Sequence, residues 1–228
     1  LINTPYNVLY INYGYKERDK LLKIMNYLKK VFDYKIGDLK YQIDGLVPKD
    51  VCNYFINFYK ENENKSLIIK EESYKFKSNT IEPDNFNSLN LSEISLTNDS
   101  FIKPLELAKK YVAIMITNYV LHIQKNICPT FNMNYVTQTQ NIRILKYKKG
   151  EFIGDHSDMD EKIRASCTLN LNEDYEGGEF RIFNGREKLS FKTGDALFFP
   201  AEPIWIHGTE PIKSGTRYSI NCFLYPAT

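Results

Sequence analysis

The chain has 228 residues, 43% of them hydrophobic and 14% aromatic, which is enough apolar material for one substantial core and too much for a disordered chain. Its 30 basic residues against 28 acidic ones leave a formal charge of +2, which gives no electrostatic footprint for nucleic acid or an anionic membrane surface. No apolar run is long enough to span a bilayer, and Cys52, Cys128, Cys167 and Cys222 lack the paired spacing of a zinc finger or redox motif. No basic-then-apolar leader opens the chain at Leu1, and with unpaired cysteines this gives an intracellular location as the expectation.

Residues 1–40 are expected to form an N-terminal extension, with a strand at Val8–Tyr13 and an amphipathic helix over Lys16–Phe32. Leu21, Met25, Leu28 and Phe32 recur there at helical spacing. Residues 41–228 are expected to form the main domain. It opens on a helix with Pro48 in its first turn and Val51, Phe55 and Phe58 along one face. Residues 75–100, rich in Asn, Ser, Thr and Asp, read as loop, either a lid over a substrate or a surface excursion. The longest helix is expected from Pro104 to Lys125, with Ala108, Val112, Met115 and Tyr119 facing the core. His122 within it has no partner at ligand spacing and reads as structural or exposed.

Beyond Thr137 the pattern changes to short strands, at 142–147, 164–171, 178–183, 188–192, 196–199 and 217–225, rich in β-branched and aromatic residues. Asn184-Gly185 is a hairpin signal, and Thr193-Gly194-Asp195 marks another turn. Helices followed by closely spaced antiparallel strands predict a mainly β (α+β) fold, a jelly roll over 138–228 with the N-terminal helices packed on one sheet.

The chemistry gathers in Gly154-Asp155-His156-Ser157-Asp158. On an extended segment His156 and Asp158, at i and i+2, point to the same side. A His-x-Asp pair alone arises easily by chance, but His207 supplies a second imidazole. Two His and one carboxylate leave open coordination positions, whereas a structural zinc site is closed by a fourth protein ligand, and none is evident. Arg217 follows on the last strand, with a planar guanidinium suited to gripping a carboxylate, and Ser219 shares its face. Arg164, Ser166, Thr168 and Asn170 share one face of another strand, which is costly inside a barrel unless they bind something polar. Thr168 and Asn170 are candidates for a cosubstrate pocket and Arg164 for a substrate groove. Trp205 either lines the mouth or belongs to the core.

These motifs, with Tyr147-Lys-Lys-Gly-Glu-Phe-Ile-Gly-Asp-His156 and Glu176-Gly-Gly-Glu-Phe-Arg-Ile-Phe183, resemble the 2-oxoglutarate/Fe(II) dioxygenase superfamily, and its prolyl 4-hydroxylase branch most closely. The resemblance runs from Gln138 to Tyr225. It implies a double-stranded β-helix in which His156, Asp158 and His207 hold Fe(II). It further implies that Arg217 binds the distal carboxylate of 2-oxoglutarate, where many collagen-type relatives carry Lys, and that Tyr147 and Ser219 add hydroxyl donors. A Tyr often stands in the family where this chain has Asn170. The implied reaction consumes O2 and 2-oxoglutarate, releases succinate and CO2, hydroxylates a prolyl residue of a peptide or protein, and is supported by ascorbate. Hydroxylation of a free amino acid or small metabolite is the alternative on the same fold. Nucleic-acid dealkylases resemble Arg-x-Asn-x-Thr-x-Arg on the last strand, and Arg217-Tyr-Ser-Ile-Asn221-Cys-Phe223 lacks the Thr and second Arg. A non-catalytic binding module is disfavoured by the intact triad.

Overall fold

Alternation along two central strands decides where the site lies. The computed structural model describes residues 35–63, 66–72 and 85–227, so the strand and helix expected within 8–32 lie outside the described residues. The chain divides into two units, Leu1–Asp38 and Leu39–Thr228, and the elements below belong to the second. In order they are β1 (Tyr41–Ile43), α1 (Lys49–Asn62), β2 (Ile68–Glu72), β3 (Asn85–Asn90), the single turn α2 (Leu91–Ile94), α3 (Ile102–Asn126), β4 (Gln138–Tyr147), β5 (Ala165–Asn170), β6 (Tyr175–Gly177), β7 (Phe180–Ile182), β8 (Glu187–Leu189), β9 (Ala196–Pro200), β10 (His207–Thr209), β11 (Ile212–Gly215) and β12 (Arg217–Tyr225).

The strands form a seven-stranded sheet in the order β1-β9-β5-β12-β4-β3-β2, with β10-β7-β8 and β11-β6 as smaller sheets. Every pairing is antiparallel. All six residues of β5 are buried. Ala165, Cys167 and Leu169 face the same core as Tyr218, Ile220, Cys222 and Leu224 of β12. That core is completed by α1 and α3 through Phe55, Tyr59, Val112, Met115 and Tyr119. Tyr119 stacks on Phe198 of β9 with centroids 3.8 Å apart. The period of two then turns the polar residues of both strands to the opposite face, between the sheets. Ser166 and Thr168 of β5 and Arg217, Ser219 and Asn221 of β12 line a cavity there.

Two expectations are corrected. Pro48 is the N-cap of α1, with φ −57° and ψ 148°, rather than a residue of its first turn. Residues 85–101 are not loop. β3 pairs with β4, and Leu89, Leu91 and Phe101 are fully buried. The polar residues that suggested loop are caps: Asn90 Oδ1 accepts from the Glu93 amide and Asn98 Oδ1 from the Ser100 amide. Residues 73–84, where a lid would have to lie, are outside the described residues. β6, β10 and β11 are strands too short to show a period in sequence. The Asn184-Gly185 turn is present, with both residues at positive φ. His122 stacks on Tyr41 at 4.7 Å and takes no part in the site. Among the described residues no helix is long and apolar enough to cross a membrane.

Candidate metal centre

His156, outside any strand, is brought to His207 at the start of β10 by an isolated antiparallel bridge. Each donates its amide to the other's carbonyl, at 2.8 and 2.9 Å. The two imidazoles then lie side by side, with centroids 4.3 Å apart. Gly208 makes this approach possible. A Cβ there would sit 2.8 Å from both Asp155 Oδ1 and Ile153 O. Thr209 repeats the tie, its amide reaching Ile153 O at 2.9 Å while its hydroxyl accepts from the Ile153 amide at 3.1 Å.

Asp158 completes the set. His156 Nε2 is 3.2 Å from its Oδ1 and His207 Nε2 is 3.3 Å from its Oδ2. The three donor atoms lie within 4.8 Å of one another, and among the described residues no further group of His, Cys, Asp or Glu is so placed. Both rings are oriented from behind: His156 Nδ1 is 2.9 Å from Gly154 O, and His207 Nδ1 is 2.9 Å from Trp205 O. With Nδ1–H given to a carbonyl, Nε2 is left as the lone-pair nitrogen facing the carboxylate, the tautomer a metal requires. Ser166 donates a hydrogen bond to Asp158 Oδ2. Arg181 braces the loop through Asp155 at 3.2 Å.

Electrostatics follow from this packing. Burial acts to lower the His156 imidazole, but the hydrogen bond and charge of Asp158 outweigh it and the net shift is upward. Burial acts to raise the Asp158 carboxyl, and His207 and His156 together overcome it, holding the carboxyl well below its usual range. A buried carboxylate set against two imidazole Nε2 atoms, with no fourth protein donor among the described residues, fits an open divalent-metal site, whose cation would take the place of the protons on those nitrogens.

The cavity beside this triad measures about 50 Å³ and is lined by both sheets. Arg217 stands at its far end, only 2% exposed. Its Nε donates to Asn170 Oδ1 at 3.2 Å, and its guanidinium lies over the Tyr147 ring at 5.5 Å. Ser219 and Thr168 line the cavity, and each donates to Asn221 Oδ1, at 3.4 and 2.9 Å. Tyr147 lines it as well, stacked on Phe86 at 5.1 Å.

Two expected site residues take other roles. Asn170 does not line the cavity but holds the guanidinium from the side. Its own amide is tied to the carbonyls of Asn172 and Lys192, at 2.6 and 3.2 Å. Trp205 is core, 2% exposed and packed on Phe183 and Phe199, and contributes to the triad only through its carbonyl. Arg164 lies half-buried where the inward face of β5 continues past Ser166, over the Tyr135 ring at 5.7 Å. Residues that motif reading overlooked are Ser166 as the partner of Asp158, Tyr175, whose hydroxyl donates to Asn170 Oδ1 at 3.3 Å, and Asn221. For Ser166 and Asn221 the available signal was strand parity with Thr168 and Arg217.

Residues 142–225 match the model of the 2OG-Fe(II) oxygenase superfamily. Over 91 residues, 36% of this chain, the sequence is 31% identical to a PKHD-type hydroxylase of Idiomarina loihiensis and covers 41% of it. The matched stretch is thus less than half of that relative's length. In fold, the chain is similar to a Trichoplax adhaerens prolyl hydroxylase solved with a hypoxia inducible factor peptide fragment (TM-score 0.61, 12% identity, 94% of each chain covered). It is also similar to a Pseudomonas putida prolyl-4-hydroxylase (TM-score 0.56, 16% identity, 85% of this chain and 97% of that one). A viral collagen prolyl hydroxylase from Paramecium Bursaria Chlorella virus-1, solved with 2OG, matches with TM-score 0.51 at 14% identity, over 83% of this chain and 96% of that one. These neighbours share a double-stranded β-helix, and the two-sheet barrel here has that fold.

Proposed function

We propose that this chain, whose residues 142–225 match the model of the 2OG-Fe(II) oxygenase superfamily, is a 2-oxoglutarate-dependent dioxygenase that hydroxylates prolyl residues in a peptide or protein. The observation that carries the reading is the convergence of His156, Asp158 and His207 beside a cavity that ends on buried Arg217.

Bound Fe(II) supplies the activation of O2 that couples decarboxylation of 2-oxoglutarate to succinate and CO2 with insertion of one oxygen atom into a substrate C–H bond. The chain's own residues do the positioning. His156, Asp158 and His207, whose donor atoms converge beside the cavity, would hold the metal. Arg217 grips the distal carboxylate of 2-oxoglutarate through its guanidinium Nη atoms, since Nε is already given to Asn170. Tyr147 walls that end, and Ser219 and Thr168 set the Asn221 amide at the cavity's middle. Phe180 and Phe199 pack on His207, at 5.5 and 4.6 Å, and keep water from that side of the triad.

The prolyl reading is supported by the prolyl hydroxylases among the fold neighbours, one of them solved with a peptide. Tyr135, Met159 and Ile204 are exposed apolar residues on segments adjoining Arg164, Asp158 and Trp205, and suit contact with a peptide at the mouth. The test is a panel of prolyl peptides and free amino acids with Fe(II), 2-oxoglutarate and ascorbate, followed by mass spectrometry. Gain of one oxygen on proline within a peptide is the expected result. Oxygen gain only on free amino acids would replace the reading with the small-molecule alternative.

A further inference from the structure

We infer that the side-chain amide of Asn221 donates a hydrogen bond to the C1 carboxylate of 2-oxoglutarate, the end that lies toward the triad. This rests on the oxygenase reading and adds a residue to its cosubstrate site.

Cross-strand register orders the cavity floor in rows about 7 Å apart, two residues of strand at 3.3 Å each. In the first row Arg217 of β12 lies beside Tyr147 of β4. The second row holds Leu145, Ser219 and Asn170. The third holds Arg143, Asn221 and Thr168, and the fourth Phe223 and Ser166. Ser166 donates to Asp158, so the triad belongs to the fourth-row end. The Arg217 side chain leans toward that end, since its Nε reaches Asn170 in the second row. A diacid held at its distal carboxylate by this guanidinium and directed at the triad therefore crosses the row of Asn221.

The hydrogen bonds of that row aim the amide. Thr168 and Ser219 are buried, and their hydroxyls donate to Asn221 Oδ1 at 2.9 and 3.4 Å. With Oδ1 turned to both hydroxyls, the NH2 is turned from them, and Asn221 itself lines the cavity. Both hydroxyl protons are spent on Asn221, so neither Thr168 nor Ser219 has one left to give a ligand. Arg143 carries its guanidinium over the Phe223 ring at 5.5 Å, in the row beyond. The Asn221 NH2 thus stands between the Arg217 guanidinium and Asp158. A carboxylate offers acceptors only, and a hydrogen bond to it is of the stronger, charge-assisted kind. Thr168, which strand parity marks for the cosubstrate pocket, is then a positioning residue that acts through Asn221.

The test is anaerobic binding to the Fe(II)-loaded protein, with two ligands. 2-Oxoglutarate carries the C1 carboxylate. 4-Oxopentanoate keeps the ketone and the distal carboxylate and has a methyl group where C1 would be. Calorimetry reads the first, and displacement of the first reads the second. Asn221→Ala is expected to weaken 2-oxoglutarate about tenfold, the scale of a lost hydrogen bond to a charged group, and to leave 4-oxopentanoate within about twofold. Thr168→Val removes the proton that aims the amide and is expected to show a smaller loss with the same selectivity. Asn221→Gln keeps a donor and is expected to recover part of the loss. Equal losses for the two ligands, or no loss for either, overturn the inference. So does a fall in Fe(II) affinity in Asn221→Ala, which would make Asn221 a support of the triad instead. If Asn221→Ala does not fold, the same ratio in Thr168→Val decides. Failure of the oxygenase reading looks different: the wild type then shows no Fe(II)-dependent binding of 2-oxoglutarate at all.

Discussion

Asn170 and Arg217 form one unit: Nε of the buried guanidinium donates to Oδ1 of the buried amide at 3.2 Å. Two carbonyls hold the Asn170 NH2, so the oxygen cannot swing away and the guanidinium is aimed before any ligand arrives. Asn170→Ala is expected to raise KM for 2-oxoglutarate about tenfold, with a smaller change in kcat, because an orienting hydrogen bond to a charged group is lost. Steady-state kinetics checks this. A purely structural role would lower the melting temperature and leave KM alone.

Ser166 holds one oxygen of Asp158 and leaves the other to His156. Removing such a support behind a metal ligand typically costs 10–100-fold in affinity, so Ser166→Ala is expected to weaken metal binding by about tenfold. Titration of the metal-free protein with Fe(II) or Co(II) under nitrogen measures it. An unchanged affinity would show the hydroxyl to be a bystander.

Gly208 is where the two halves of the triad touch. A methyl group there meets Asp155 Oδ1 and Ile153 O at 2.8 Å, on the loop that carries His156. Gly208→Ala is expected to move that loop by a few tenths of an ångström or more and to weaken metal binding more than it weakens the fold. Far-ultraviolet circular dichroism with metal titration separates the two effects. Intact metal affinity would mean that the loop yields freely.

Much of this was legible beforehand, and the parts that were not share a cause. The His-x-Asp pair and the parity of Arg217 with Ser219 are local, and local spacing fixes the face on which a side chain stands. The role of Asn170 was not local: Arg217, Asn172, Tyr175 and Lys192 reach it from other segments, so parity showed it inward but not what it touches. Trp205 was ambiguous because a large amphipathic ring suits both a mouth and a core, and only Phe183 and Phe199 decide between them. Residues 85–101 misled because Asn and Ser favour loops and caps alike, and here Asn90 and Asn98 cap short helical turns. His207–Thr209 is a three-residue strand that pairs with β7 and is bridged to His156, both partners distant in sequence.

The helix-side core gives a pH prediction. Burial and the charge of Asp50 push the Cys52 thiol from 9.0 up to about 11. Between those values the unfolded chain has released a proton that the folded chain keeps, so stability falls as pH rises and is fully present below pH 9. The thiol contributes up to about 1.4 kcal/mol per pH unit in that window. Urea unfolding of wild type and Cys52→Ala below and within the window tests this. The variant is expected to lose less on going alkaline, and parallel losses would assign the effect to other groups.

The central claim is that His156, Asp158 and His207 hold one catalytic metal beside the Arg217 pocket. Its most direct test is Fe(II)-dependent turnover of 2-oxoglutarate to succinate, measured together with metal stoichiometry, in the wild type and in Asp158→Ala. The account predicts one metal per chain and succinate formation in the wild type, and loss of both in the variant. Equal metal binding and equal succinate formation by the two proteins would contradict it.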